Sequence, residues 1–185
     1  MGGSVENALS AHFDGDEFVH TVSRLDRGTS GLMTVAKSGY IHARMKEAQT
    51  DGSFQKTYLA ILKGVPKQPH GFIDAPIGAL PHSTYQRTVR ADGAPSVSEY
   101  TVLQEANGLS LVRLIPHTGR THQLRVHMAY AGTPIFGDWL YGQRETLVDR
   151  PLLHAATLSF PHPITGETLT FAAPLPKDFL PYCSM

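Results

Sequence analysis

The spacing of apolar positions changes several times along the chain, and each change predicts an element. Val5, Ala8, Leu9 and His12 recur at helical spacing behind Ser4, a good cap, and Asp14-Gly15-Asp16 breaks that helix. A short strand is predicted over 19–23, followed by a polar cluster over 24–31. The run Leu32-Met33-Thr34-Val35-Ala36, bounded by glycine, has the length and flanks of a buried strand. Ser38 then caps a second helix with Ile41, Met45 and Ala48 on one face and Arg44, Lys46 and Glu47 outside, which Asp51-Gly52 ends.

Downstream the period shortens to two. Residues 55–62 read as a strand closed by Gly64, and five of the 13 prolines fall within 66–95, predicting loops with short β pieces. Residues 97–104 and 109–115 are two strands joined by Ala106-Asn107-Gly108, a hairpin turn. Thr121 opens a helix carrying Leu124, Met128 and Ala131, which Gly132 terminates. Residues 152–160 and 168–171 flank a second hairpin signal, Pro163-Ile164-Thr165-Gly166. The expected fold is one α+β domain over 1–185, a mixed, mostly antiparallel sheet with flanking helices.

Composition narrows the function without naming one. The 185 residues carry 16 Lys+Arg against 16 Asp+Glu, so the chain does not hold nucleic acid by bulk charge, although local cations still can. The single cysteine, Cys183, forms neither an internal disulfide nor a cysteine zinc site. No run approaches the ~20 apolar residues of a membrane span, and Met1-Gly2-Gly3-Ser4 has no signal-peptide pattern. The expectation is a cytoplasmic protein with no membrane association.

Three polar clusters interrupt the structural pattern. In Ser23-Arg24-Leu25-Asp26-Arg27-Gly28-Thr29-Ser30-Gly31, one carboxylate stands between two arginines in a glycine-bearing loop before an apolar run. The arginines favour an ionised Asp26, as a nucleophile requires. A surface turn with Asp26 paired to an arginine fits the spacing too, and no Walker pattern is present. In the second cluster, Lys56, Tyr58 and Ala60 share one strand face, so the phenol could stack a base, or simply be half-buried. The third, Pro116-His117-Thr118-Gly119-Arg120-Thr121-His122-Gln123-Leu124-Arg125-Val126-His127, crowds cations and hydroxyls around a helix start, an anion site in prospect. His122 and His127 lie five apart rather than four, which argues against a metal pair, so no metal is expected.

In this order and spacing the clusters resemble the RluA-type pseudouridine synthases over nearly the whole chain. Arg24-Leu25-Asp26 with Thr29-Ser30-Gly31-Leu32 resembles the family's first signature, Lys56-x-Tyr58 its second, and Thr118 to His127 its third. Pro134-x-x-Gly137-Asp138-x-x-Tyr141-Gly142 and Leu153-His154-Ala155 resemble its later blocks. The resemblance implies cofactor-independent isomerisation of uridine to pseudouridine in ribosomal or transfer RNA, on a base flipped out of the stack. It implies Asp26 as essential carboxylate, Arg125 as its ion-pair partner and Tyr58 as the ring stacked on the uracil and a candidate acceptor of the C5 proton. Arg24, Arg27, Thr29, Lys56, Arg120, Thr121, His122 and Gln123 are the expected RNA contacts, and a monomer with no obligatory protein partner is expected.

Two departures accompany it. Ser23 stands where the family usually has histidine, and the strand with a Lys-Pro-x-Gly segment that usually begins the family's domain is not in the sequence. The expected sheet therefore lacks its first strand, with a weakened pocket wall. A non-catalytic RNA-binding domain of the same fold is one rival. A carboxylate glycoside hydrolase pairing Asp26 with Asp138 is the other, and it requires both carboxyls in one cleft.

Overall fold

A computed structural model describes residues 5–13 and 19–183. A seven-stranded mixed sheet forms its centre. The main path runs β11 (Thr168–Ala172), β10 (Leu153–Pro161), β4 (Gln55–Lys63), β9 (Leu109–Pro116), β8 (Val97–Ala106) and β5 (His70–Asp74), every neighbour antiparallel. The two-residue strand β2 (Ser30–Gly31) joins β10 in parallel and makes the sheet mixed. Small ribbons pair β1 (His20–Thr21) with β3 (Val35–Ala36) and β6 (Ile77–Ala79) with β7 (Arg87–Val89).

Both predicted hairpins form. Asn107 (φ 54°) and Gly108 (φ 75°) take the left-handed conformations that such tight turns require, and Gly166 (φ 75°) turns the chain between β10 and β11. Helix α1 (Val5–His12) lies where its periodicity puts it, while Ser4 and the Asp14–Asp16 break fall outside the described residues. Helix α2 (Gly39–Thr50) is capped by Ser38, whose hydroxyl accepts from the Ile41 N–H at 3.3 Å, and it buries Met45 and Ala48 as expected.

The sheet is covered on both faces because β4 buries both of its own. Tyr58, Ala60 and Leu62 pack with Val112, Leu114 and, from helix α3 (Gln123–Tyr130), Leu124 and Met128. Ile61 on the opposite face packs with Leu111, Phe136, Leu152 and Phe179. A third cluster seats α2 against Val22, Phe54, Leu158 and Phe160.

The apolar run 32–36 departs from expectation. It is not one buried strand but a crossing between two sheets. Leu32 N–H still donates to Ala155 O of the main sheet (3.0 Å), whereas Thr34 O already accepts from Val22 and Ser23 N–H of the small ribbon. Gly31 is where the crossing starts. Its φ is +105°, and a Cβ there would lie 2.2 Å from the Ala155 carbonyl oxygen. Gly31→Ala is therefore expected to destabilise the fold by about 2 kcal/mol or more, read as a shift of the urea unfolding midpoint at unchanged slope.

Candidate active site

The Asp26 loop is held to the sheet at several points. Thr29 N–H closes a turn onto the Asp26 carbonyl (2.9 Å), and Ser30 Oγ meets His154 Nδ1 of β10 (2.9 Å). Arg150 adds a guanidinium brace, donating to Gly28 O (3.0 Å) and gripping Asp178 through two bonds of 2.7 and 2.8 Å. A half-buried carboxylate thus stands on backbone fixed by β10 and by the chain's C-terminal segment.

Asp26 and Tyr58 line one cavity of about 670 Å³, together with Leu25, Ile115, Pro116, Leu124 and Leu153. Of the expected RNA contacts, Arg24, Thr29, Lys56, Arg120, Thr121 and Gln123 also line it. Thr29 Oγ1 is buried without a protein hydrogen-bond partner. Burial first, and the charge of Asp26 second, push the Tyr58 phenol up to about 12. The folded state therefore holds its proton through a range in which the unfolded chain releases it. That stabilisation is intact below pH 10 and disappears as pH climbs from 10 to about 12. Tyr58→Phe is expected to flatten this part of the stability–pH curve, measured by alkaline unfolding alongside phenolate absorbance.

Lys46, Gln49 and Glu99 are contributors to the cavity that were not anticipated. Lys46, which helical periodicity rightly puts outside α2, faces the cavity mouth with Gln49. Burial, and then the charge of Lys46, push the Lys56 ammonium below its ordinary value, so the two lysines form a cation pair that an anion would relieve. Only the packing of α2 against Phe54, which directly precedes β4, reveals this.

The third cluster is corrected in three places. Arg125 does not ion-pair with Asp26. It is 2% exposed, lies behind the cavity wall and binds Asp138, itself fully buried, through Nε and Nη2 at 2.7 Å each. Burial pushes its guanidinium down, but the hydrogen bonds and charge of Asp138, with a smaller contribution from Asp26, hold it above its ordinary value. Gln123, at 4% exposure, has its amide occupied internally. Its Oε1 accepts from Thr118 Oγ1 (2.7 Å) and Arg120 N–H (3.0 Å), and its Nε2 donates to Val97 O and Ser98 Oγ, so it braces the loop rather than facing RNA.

His122, left-handed at φ 58°, is the third correction. It meets Tyr141 Oη through Nδ1 (2.7 Å) instead of lining the cavity, and burial pushes its imidazole down while Asp26 opposes. Arg27, of the first cluster, lines a neighbouring cavity rather than this one. Asp138 also accepts from Leu140 and Tyr141 N–H (3.0 and 3.2 Å), so the second acid that a glycoside hydrolase would need is locked inside the fold. Among the described residues no three His, Cys, Asp or Glu converge as a metal site, and no helix is long and apolar enough to cross a membrane.

This geometry has relatives. The family model described as RNA pseudouridylate synthase matches residues 4–130. An uncharacterized RNA pseudouridine synthase of Bacillus subtilis, YjbO, is 43% identical over 179 residues, covering 95% of this chain and 63% of the relative. Ribosomal large subunit pseudouridine synthase D of Vibrio parahaemolyticus is 39% identical, with 96% of this chain and 60% of that one covered. The chain thus spans about three fifths of the length of these curated relatives. Among solved structures, human RNA pseudouridylate synthase domain containing 1 superposes with a TM-score of 0.80 at 29% identity, covering 97% of this chain and 76% of that one. The fold agrees with these likenesses, and the chain belongs to the RNA pseudouridylate synthase family.

Proposed function

We propose that this protein isomerises uridine to pseudouridine in RNA, with Asp26 as the reacting carboxylate and Tyr58 as the ring beneath the base. The observation that carries this reading is the single cavity that Asp26 and Tyr58 share. At about 670 Å³ it accepts a nucleoside but not a duplex, so the target uridine must leave its stack. Of the two acids that line it, Glu99 is engaged by His117 at 3.0 Å, which leaves Asp26 as the free carboxylate. Lys46, Lys56, Arg24 and Arg120 provide local positive charge for the flanking phosphates despite the chain's zero net charge.

The reaction breaks the bond from C1′ to N1, turns the uracil, and joins C1′ to C5. C5 loses a proton and N1 gains one, so no cofactor is required. Tyr58 stays neutral at ordinary pH because its phenol is held near 12, which suits stacking better than a standing phenolate base.

Incubating the protein with RNA tritiated at C5 should release tritium, and modification mapping should place pseudouridine at defined sites. The Vibrio relative, named for the large ribosomal subunit, makes ribosomal RNA the first substrate to test, with transfer RNA second. RNA binding without tritium release would instead support the non-catalytic rival.

Arg150 bears on this reaction from outside the cavity, through its bond to Gly28 O. Arg150→Ala frees the Asp26 loop from the C-terminal segment, and a displacement near 1 Å costs about 10²-fold in turnover. Single-turnover rates should fall by that order.

A further inference from the structure

A second cavity, of about 1030 Å³, opens on the other side of the Asp26 loop. The two cavities meet at the loop itself, since Asp26 lines the first while Arg27 and Gly28 line the second. Trp139 stands in its wall, 47% exposed, with Leu147 at 78% beside it. An indole so exposed is unusual for a residue whose backbone is so firmly held. Asp138 before it is locked to Arg125, and Gly142 N–H closes the turn onto Asp138 O at 2.8 Å. Gly137 (φ +77°) sits so close to the Arg150 carbonyl that a Cβ would lie 2.3 Å from it. A rigid backbone presenting an open aromatic face is the construction of a base-stacking platform.

The charges nearby fit a phosphodiester. Of the three carboxylates in the wall, Glu145 is held by Lys63 (2.8 Å) and Asp178 by Arg150 (2.7 Å), leaving Asp149. Against it stand the exposed Arg27 and Arg144, which the ion pairs among the described residues leave out. The unpaired charge of this surface is therefore positive, next to an aromatic face and continuous with the catalytic loop.

We propose that this cavity is a flanking-nucleotide subsite, in which a base neighbouring the extruded uridine stacks on Trp139 while Arg27 and Arg144 hold its phosphate. The proposal rests on RNA being the substrate and adds where the neighbouring nucleotide goes. The subsite makes the enzyme sensitive to single-stranded context beside the target, through stacking rather than base-edge readout.

Trp139 is the only tryptophan of the chain, so fluorescence excited at the red edge, where tyrosine does not absorb, reports on this surface alone. Titration with a single-stranded, uridine-containing oligonucleotide is expected to quench the emission. Uridine monophosphate, which fills only the Asp26 cavity, should leave it unchanged. Trp139→Ala should raise KM for the oligonucleotide roughly tenfold, more than it lowers kcat, and Trp139→Phe should recover most of that loss. RNA that binds by anisotropy and is turned over, with emission and KM indifferent to Trp139, would overturn the subsite and leave the function standing. Equal quenching by the mononucleotide would also overturn it, because Trp139 would then report on the catalytic cavity. Absence of both RNA binding and turnover would sink the subsite together with the function.

Discussion

Asp26→Asn is expected to lower pseudouridine formation by at least about 10⁴-fold, the scale seen when the reacting group itself is removed from an active site. The substitution keeps size and shape and removes only the charge. Asp26 is half-buried, and the turn it anchors runs through its backbone carbonyl, so unfolding free energy should stay within about 0.5 kcal/mol of the parent. A second readout ties the effect to this carboxylate. Its charge is the lesser of the two influences that raise Tyr58, so the phenol should titrate below about 12 in the variant while burial keeps it above 10. Tritium release within tenfold of the parent enzyme would remove Asp26 from the chemistry.

Asp138→Ala is expected to cost about 3–5 kcal/mol of stability, because it strands the Arg125 guanidinium at 2% exposure without its counter-charge. For a chain of this length that corresponds to a fall in Tm of roughly 6–20 °C. Replacing both partners with apolar residues, as in Arg125→Met with Asp138→Leu, should restore much of the stability, since no buried charge is then left unmatched. Activity separates the two roles of the pair. Arg125 also stacks over the Tyr141 ring (5.1 Å) and feels the charge of Asp26, so the apolar double variant should fold yet turn over poorly. A double variant that folds and turns over normally would reduce the pair to scaffolding.

Much of this was readable along the chain, for reasons that differ by element. The two hairpins, helix α2 and strand β4 depend on caps, turn residues and periodicity within a few positions, and all formed where these signals lay. The juxtaposition of Asp26 with Tyr58 was legible only through the family resemblance, because the residues are 32 positions apart and nothing local joins them. Lys46 escaped notice because helical spacing marks a residue as outward-facing without saying what lies outside.

By itself the sequence determined the kinds of element, the order of the motifs and which polar residues are candidates for the chemistry, since these depend on residue chemistry and short-range geometry. Tertiary structure alone decided the partnerships: Arg125 with Asp138 rather than Asp26, Gln123 with its own loop, Arg150 with Gly28 across 122 positions, and residues 32–36 divided between two sheets. Buried polar groups must find partners when water is excluded, and which partner is within reach is set by how the sheet closes. No local pattern encodes that closure.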